Sequence, residues 1–208
     1  MSSGNTKPIS RIAIIGVGQV GAAAAYALIL GSVANELLLV DIKVDLRDGQ
    51  VRDLSDVAYS CNSGTRVRAA TYHEAGQCDI VVITAGSKYS IGKGSDGERL
   101  IIFCPKGASS HDYSGQNNIQ LMFRNIAIVR SAVRAMKPFR SDAILLVVAN
   151  PVDLLTSLAQ ELSGLPPSQV LGSGTFLDSV RLRGMLADKA EVRAHNSCIV
   201  VQTWLIEV

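Results

Sequence analysis

Arg11-Ile-Ala-Ile-Ile15 runs directly into Gly16-Val-Gly18-Gln-Val-Gly21, and an alanine-rich stretch then continues to Leu30, ahead of Gly31. An apolar, β-branched run that stops at a glycine reads as a buried strand. The alanine-rich stretch over residues 20–30, closed by a glycine, reads as a helix. Downstream, Glu36-Leu-Leu-Leu-Val-Asp41 reads as a second strand, residues 51–58 as a helix, residues 66–70 as a strand and residues 79–84 as a strongly apolar strand. Residues 119–136 place apolar side chains at helical spacing, residues 143–149 form a further buried strand, and a helical run covers residues 177–187. Strands that alternate with helices predict an α/β chain with a doubly wound parallel sheet, because each crossover lays its helix on a sheet face.

Composition agrees with a globular protein. Of 208 residues, 48% are hydrophobic and 18% charged, with 18 Gly and 6 Pro, which excludes a fibre or a solvated tail. Twenty basic residues against 18 acidic ones give a net charge of +2, too balanced for a nucleic-acid footprint. Cys61, Cys78, Cys104 and Cys198 form no CxxC pair, and His73, His111 and His195 do not cluster with them, so neither a disulfide framework nor a metal site is expected. The uncharged stretch over residues 12–35 has the length of a membrane span, but Gly16, Gly18, Gly21 and Gly31 interrupt it and no cationic leader flanks it. The expectation is a chain with no membrane partner in the thiol-reducing cytoplasm.

The glycine stretch carries the chemistry. Gly16, Gly18 and Gly21 lie between a strand and a helix, with Gln19 and Val20 inside the same turn, and Asp41 ends the next strand twenty residues after Gly21. Together these make the dinucleotide-binding fingerprint of a Rossmann-type sheet. Gly16 permits the tight turn, Gly18 lets backbone N–H groups approach a pyrophosphate, and Gly21 lets the helix pack closely on the strand. Asp41 is placed to accept hydrogen bonds from ribose hydroxyls and to repel a 2′-phosphate, which favours NAD over NADP. Thr84-Ala85-Gly86, after the fourth strand, has two readings: small residues beside a cofactor, or a turn alone. Asn150-Pro151 sits at the carboxyl edge of the fifth strand and is either a ligand contact or a turn signal. Asp178 and Arg181 lie three apart on one helix face; taken alone, they read as a surface ion pair.

Gly16-Val-Gly-Gln-Val-Gly21, Val40-Asp41, Ile83-Thr-Ala-Gly86, Phe123-Arg-Asn-Ile126, Ala149-Asn-Pro-Val-Asp153 and Gly172-Ser-Gly-Thr-Phe-Leu-Asp-Ser-Val-Arg181 follow one another as they do in the lactate/malate dehydrogenase family. The Gly172-Ser-Gly-Thr form resembles the L-lactate dehydrogenases of that family. The resemblance covers residues 11–86 and 119 to about 192. It implies NAD as cofactor, a small 2-hydroxy or 2-oxo acid as substrate, and hydride transfer between L-lactate and pyruvate. It also implies that Arg181 clamps the substrate carboxylate and that Asp178 orients a catalytic histidine. Asn150 would hydrogen-bond near the reacting oxygen and the nicotinamide, with a cis bond to Pro151. Complete relatives are homo-oligomers.

The sequence departs from that pattern in two places. Residues 87–118 hold five glycines and six serines among thirty-two residues, with one apolar island over residues 100–104, and read as an irregular insertion. The position that carries the family's carbonyl-polarising arginine holds Asn118, so Arg99, in Glu98-Arg99-Leu100 upstream, is the candidate for that role. No Gly-x-His-Gly-Asp motif follows Arg181; His195, fourteen residues on, lies in a different context. Residues 9–172 are thus expected to form the NAD-binding domain and residues 173–208 a remnant of the substrate domain, truncated and divergent after Val192. A retained intron followed by a shifted frame would produce both features. The expected consequence is a chain that binds NAD but is inactive or severely impaired. The alternative is a dinucleotide-binding module with no catalytic role.

Overall fold

The computed structural model describes residues 10–87 and 115–191, with side chains described from residue 119 in the second segment. The elements run β1 (Arg11–Ile15), α1 (Gln19–Leu30), β2 (Glu36–Val40), α2 (Val44–Ser60), β3 (Arg66–Ala69), α3 (Tyr72–Gly76), β4 (Ile80–Ile83), α4 (Gly115–Met136), β5 (Ile144–Val147), α5 (Val152–Ser163), β6 (Val170–Gly172) and α6 (Phe176–Lys189), with a 3-10 turn at Pro167–Gln169. The strands form one sheet in the order β3-β2-β1-β4-β5-β6, with every pair parallel. This is the doubly wound α/β architecture that the alternation of elements predicts, and the order reverses between β1 and β4, where such sheets bind their ligands.

Alternation along the strands divides the core in two. Ala13, Ile15, Leu38, Val40, Val81 and Ile83 point into one cluster, which Val129, Val133 and Met136 of α4 and Leu155 and Ala159 of α5 complete. Ile12, Ile14, Leu37, Leu39 and Val82 point the other way, onto Ala25 and Ile29 of α1 and Leu54 and Ala58 of α2. Both faces are covered, so β1, β2, β4 and β5 carry continuous apolar runs, whereas the edge strand β3, Arg66-Val-Arg-Ala69, alternates charged and apolar residues. Ile14 registers with Leu39 on one side and Val82 on the other, which holds the carboxyl ends of β2, β1 and β4 level.

The helices add to the sequence reading. α2 begins at Val44 rather than near residue 51, because its first turns carry Asp45, Arg47 and Asp48 and no apolar stripe. α4 begins at Gly115, four residues before the expected start at Ile119 and inside the stretch read as irregular. α3 is closed by a capping box in which the Thr71 side chain accepts from the Glu74 N–H and the Glu74 carboxylate accepts from the Thr71 N–H. α5 starts after Pro151 and stops at Gly164, whose φ of 75° only glycine adopts without strain. No helix among the described residues is long and apolar enough to cross a membrane. The remainder of the expected insertion at 87–118 and the expected substrate-domain remnant beyond residue 191 lie outside the described residues.

Candidate functional site

The turn after β1 is held by close contact rather than by side-chain links of its own. Gly16 has φ +92°, and a Cβ on it would stand 2.6 Å from the Ala85 Cα. A Cβ on Gly21 would run into the Gly16 carbonyl oxygen and come within 2.8 Å of Thr84 Oγ1. The Thr84 hydroxyl donates to the Gly16 carbonyl at 2.5 Å, and the Gly16 N–H donates to the Val40 carbonyl at 2.7 Å. Thr84 and Ala85 are therefore packing partners of the turn. Gly18 differs from its neighbours, since a Cβ there would meet no atom of the described residues within 4 Å. It caps α1 without a side-chain hydrogen bond, and the helix begins with the Ala22 N–H donating to the Gly18 carbonyl at 2.9 Å. Gln19, exposed, and Val20, half-buried, open α1 beside it. The result is a helix N-terminus with open space above a bare backbone, where backbone amides and the helix dipole favour a phosphate group.

Asp41 stands at the carboxyl end of β2. One of its carboxylate oxygens accepts from the Val17 N–H at 2.9 Å and the other from the Lys43 N–H at 2.8 Å, which fixes the carboxylate beside the glycine turn. The next residue, Ile42, is 81% exposed. Nearby, burial raises the Tyr72 hydroxyl above its ordinary value, and the Asp41 charge adds to that rise.

On the other side of the strand reversal, Ser87 follows the Thr84-Ala85-Gly86 stretch and Asn150 follows β5. Asn150 is exposed, and its bond to Pro151 is cis, as the resemblance implies. Between these loops stands Asn125 of α4, 4% exposed. Its side-chain oxygen accepts from the Ser87 N–H and its side-chain nitrogen donates to the Asn150 carbonyl, both at 2.7 Å. Sequence reading treats Asn125 only as part of a motif. Its isolation as a polar residue on the inward stripe of an otherwise apolar helix face is the signal that marks it.

Six of the predicted residues, Gly16, Gly18, Gly21, Asp41, Thr84 and Ala85, come together at the switch point, with Gly86 and Asn150 on the adjoining loops. Asp178 and Arg181 lie on α6, beyond β6, and face each other at 3.8 Å, with side chains 65% and 38% exposed. At that distance they make no hydrogen bond, and among the described residues neither bonds to another predicted site residue. Arg99 lies outside the described residues.

The glycine cradle and its flanking aspartate fit a dinucleotide, and comparison with known proteins gives that fit a family. The lactate/malate dehydrogenase NAD binding domain matches residues 10–172. The chain belongs to this family. It is 44% identical to L-lactate dehydrogenase A of Rhizopus oryzae over 187 residues, and 32% identical to an L-lactate dehydrogenase of Acetivibrio thermocellus over 192 residues. These alignments take in 90% and 92% of this chain but 51% and 53% of the relatives, so the chain spans about half the length of the curated relatives it matches. Among solved structures it resembles a minor L-lactate dehydrogenase from Enterococcus mundtii at a TM-score of 0.74 and 32% identity, covering 91% of this chain and 53% of that one. A lactate dehydrogenase from Cryptosporidium parvum, solved with lactic acid and nicotinamide adenine dinucleotide, matches at a TM-score of 0.72 and 27% identity, covering 91% and 52%. The family's cofactor is thus NAD, and the Rossmann-type sheet is its binding frame.

Proposed function

We propose that this chain is the cofactor-binding half of an NAD-dependent L-lactate dehydrogenase and that the 208 residues by themselves bind NAD(H) without appreciable turnover. The observation that carries the first part is the glycine cradle locked against β4, with Asp41 fixed at its side. The 44% identity to the Rhizopus oryzae enzyme supports lactate as the substrate. Residues 9–172 form the cofactor domain in this reading, and residues 173–208 begin a second unit.

When bound, NAD supplies the acceptor and donor for the hydride at substrate C2. The amides of the turn from Gly16 to Gly21 hold the pyrophosphate, Asp41 accepts from the adenosine ribose, and Ile42 offers apolar surface to the adenine. Thr84, Ala85 and Gly86 wall the cleft, and Asn150 donates a hydrogen bond beside the reacting oxygen. Arg181 holds the substrate carboxylate through two parallel N–H donors. Arg99 polarises the substrate carbonyl. In a complete enzyme Asp178 would orient the histidine that takes the hydroxyl proton, and no Gly-x-His-Gly-Asp motif lies within these 208 residues. Loss of such a proton acceptor removes a factor of about 10² to 10⁴ in rate. We place the protein in the cytoplasm, with a small 2-hydroxy or 2-oxo acid as its substrate and assembly as a homo-oligomer in its complete form.

The mutual pairing of Asp178 and Arg181 on an exposed helix favours a second reading, a dinucleotide-binding module without catalysis. Fluorescence titration of the 208-residue chain with NADH, followed by addition of pyruvate, tests the proposal. Saturable binding with no pyruvate-dependent oxidation is the expected result. A turnover near ~10 s⁻¹, ordinary for an enzyme, overturns the inactivity. Absence of NADH binding overturns both readings. Sequencing the transcript across the codons for residues 86–119 and past residue 192 separates them: a spliced product that continues into a Gly-x-His-Gly-Asp motif is the dehydrogenase, and an unspliced one is the module.

A further inference from the structure

The geometry points to Asn125 as a positioning residue that sets the distance between the Gly86-Ser87 loop and the Asn150 loop, and so governs how the chain holds the nicotinamide half of the cofactor but not the adenosine half. This rests on the proposed NAD-binding role of the switch point.

Three observations carry it. Asn125 is one of few polar residues buried among those described, and both ends of its amide are used. The oxygen accepts from Ser87 and the nitrogen donates to the Asn150 carbonyl, each at 2.7 Å, which fixes the orientation of the amide; a flip would set donor against donor and acceptor against carbonyl. A Cβ on Gly86 would stand 3.5 Å from the Asn125 oxygen, so the loop backbone lies directly on the amide. The two tied loops leave adjacent parallel strands, β4 and β5, at their carboxyl ends. Neither needs Asn125 for its strand pairing.

Position in the sheet gives the selectivity. Asp41 ends β2, on one side of β1, whereas β4 and β5 lie on the other side. A dinucleotide laid across the reversal with its adenosine ribose at Asp41 has its second nucleotide over the loops that Asn125 joins. An apolar residue at position 125 would continue the inward stripe of Val129, Val133 and Met136 and so preserve the packing of α4 on the sheet. The amide serves the loops instead, because without it the Ser87 N–H and the Asn150 carbonyl lose the partner that ties one loop to the other.

The test measures binding of NADH and of ADP to the 208-residue chain and its variants by calorimetry; ADP reports on the adenosine and pyrophosphate contacts alone. Asn125→Ala removes both ties. Asn125→Asp keeps the acceptor for Ser87 and opposes a carboxylate to the Asn150 carbonyl. Both variants are expected to bind NADH about tenfold more weakly, a loss of about 1.4 kcal/mol, and ADP within about twofold of the unaltered chain. Parallel weakening of NADH and ADP, or unfolding of both variants, overturns the inference by showing a structural anchor only. Unchanged NADH binding also overturns it. If the unaltered chain binds neither NADH nor ADP, the cofactor reading itself fails, whereas binding of both by the unaltered chain leaves that reading standing whatever the variants do.

Discussion

The glycine turn after β1 and the helix α6 carry the two halves of the same expected site, and they are held in opposite ways. At the turn, Gly16 and Gly21 sit where a Cβ would run into Ala85, Thr84 or the Gly16 carbonyl, and the Thr84 hydroxyl bonds that same carbonyl. On α6, Phe176, Leu177, Val180 and Met185 are exposed, and among the described residues Asp178 and Arg181 form an ion pair only with each other. The cofactor half of the site is therefore a product of the sheet's own packing. The proposed substrate half is a pair of side chains on a surface helix whose geometry the sheet does not determine. Chemistry legible as a motif is assembled only where the fold supplies neighbours.

That contrast breaks most sharply at Gly21. Gly21→Val is expected to destabilise the chain by about 3 kcal/mol in urea unfolding and to abolish NADH binding, because the new side chain must displace the Gly16 carbonyl. Gly18→Ala, three residues away, should leave stability within about 0.5 kcal/mol while weakening NADH binding, since its side meets only open space. Equal stability losses at the two glycines would dissolve the distinction between packing and ligand approach.

Asp41→Ala comes next. It removes the acceptor for two backbone amides and the negative charge beside the turn, and should weaken NADH about tenfold while erasing discrimination against NADPH. Comparison of the two reduced cofactors by fluorescence titration checks this.

The capped helix α3 offers a smaller effect with a pH signature. Thr71→Ala should lower stability by about 1 kcal/mol near neutral pH. The Thr71 backbone N–H, and then Arg68, hold the Glu74 carboxyl below its ordinary value. That stabilisation is complete above the ordinary carboxylate range and is lost as pH falls through the lowered value. Urea unfolding as a function of pH should show Glu74→Gln flattening this part of the acid limb. Thr175, which caps α6 without a side-chain bond, should lose less on substitution than Thr71.

The smallest effect is expected where the second half of the site lies. Asp178→Asn and Arg181→Ala should each change stability by less than about 0.5 kcal/mol, because the pair is exposed and too far apart to hydrogen-bond. A larger loss would show that α6 is packed far more tightly than its exposed face indicates.

The sheet was legible because buried parallel strands leave continuous apolar runs, and β1, β2, β4 and β5 all have them. The glycine turn was legible because contact forces Gly16 and Gly21, and the bare Gly18 between them completes the spacing of the fingerprint. What escaped notice did so for physical reasons. β6 is three residues long, too short to show a period. α5 is bracketed by Pro151 and Gly164, a start and stop signal that turn readings of Asn150-Pro151 obscure. α3 carries Thr71 and Glu74 at capping-box spacing but has five residues, less than two turns. Asn125 acts through two backbone partners at positions 87 and 150, and nothing in its local sequence announces them.

The strand order also has a consequence for synthesis. β4 lies beside β1, although β2 and β3 come between them in the chain, so the wall of the glycine turn is made last of these four. A nascent chain that has emerged only through β3 carries the entire glycine fingerprint and Asp41 yet lacks Thr84 and Ala85, against which the turn closes. Loop closure must span that interval before the contact forms. Cofactor capture is therefore deferred on the ribosome until β4 docks, and NADH present during translation rewards chains that have completed the β1-β4 pairing.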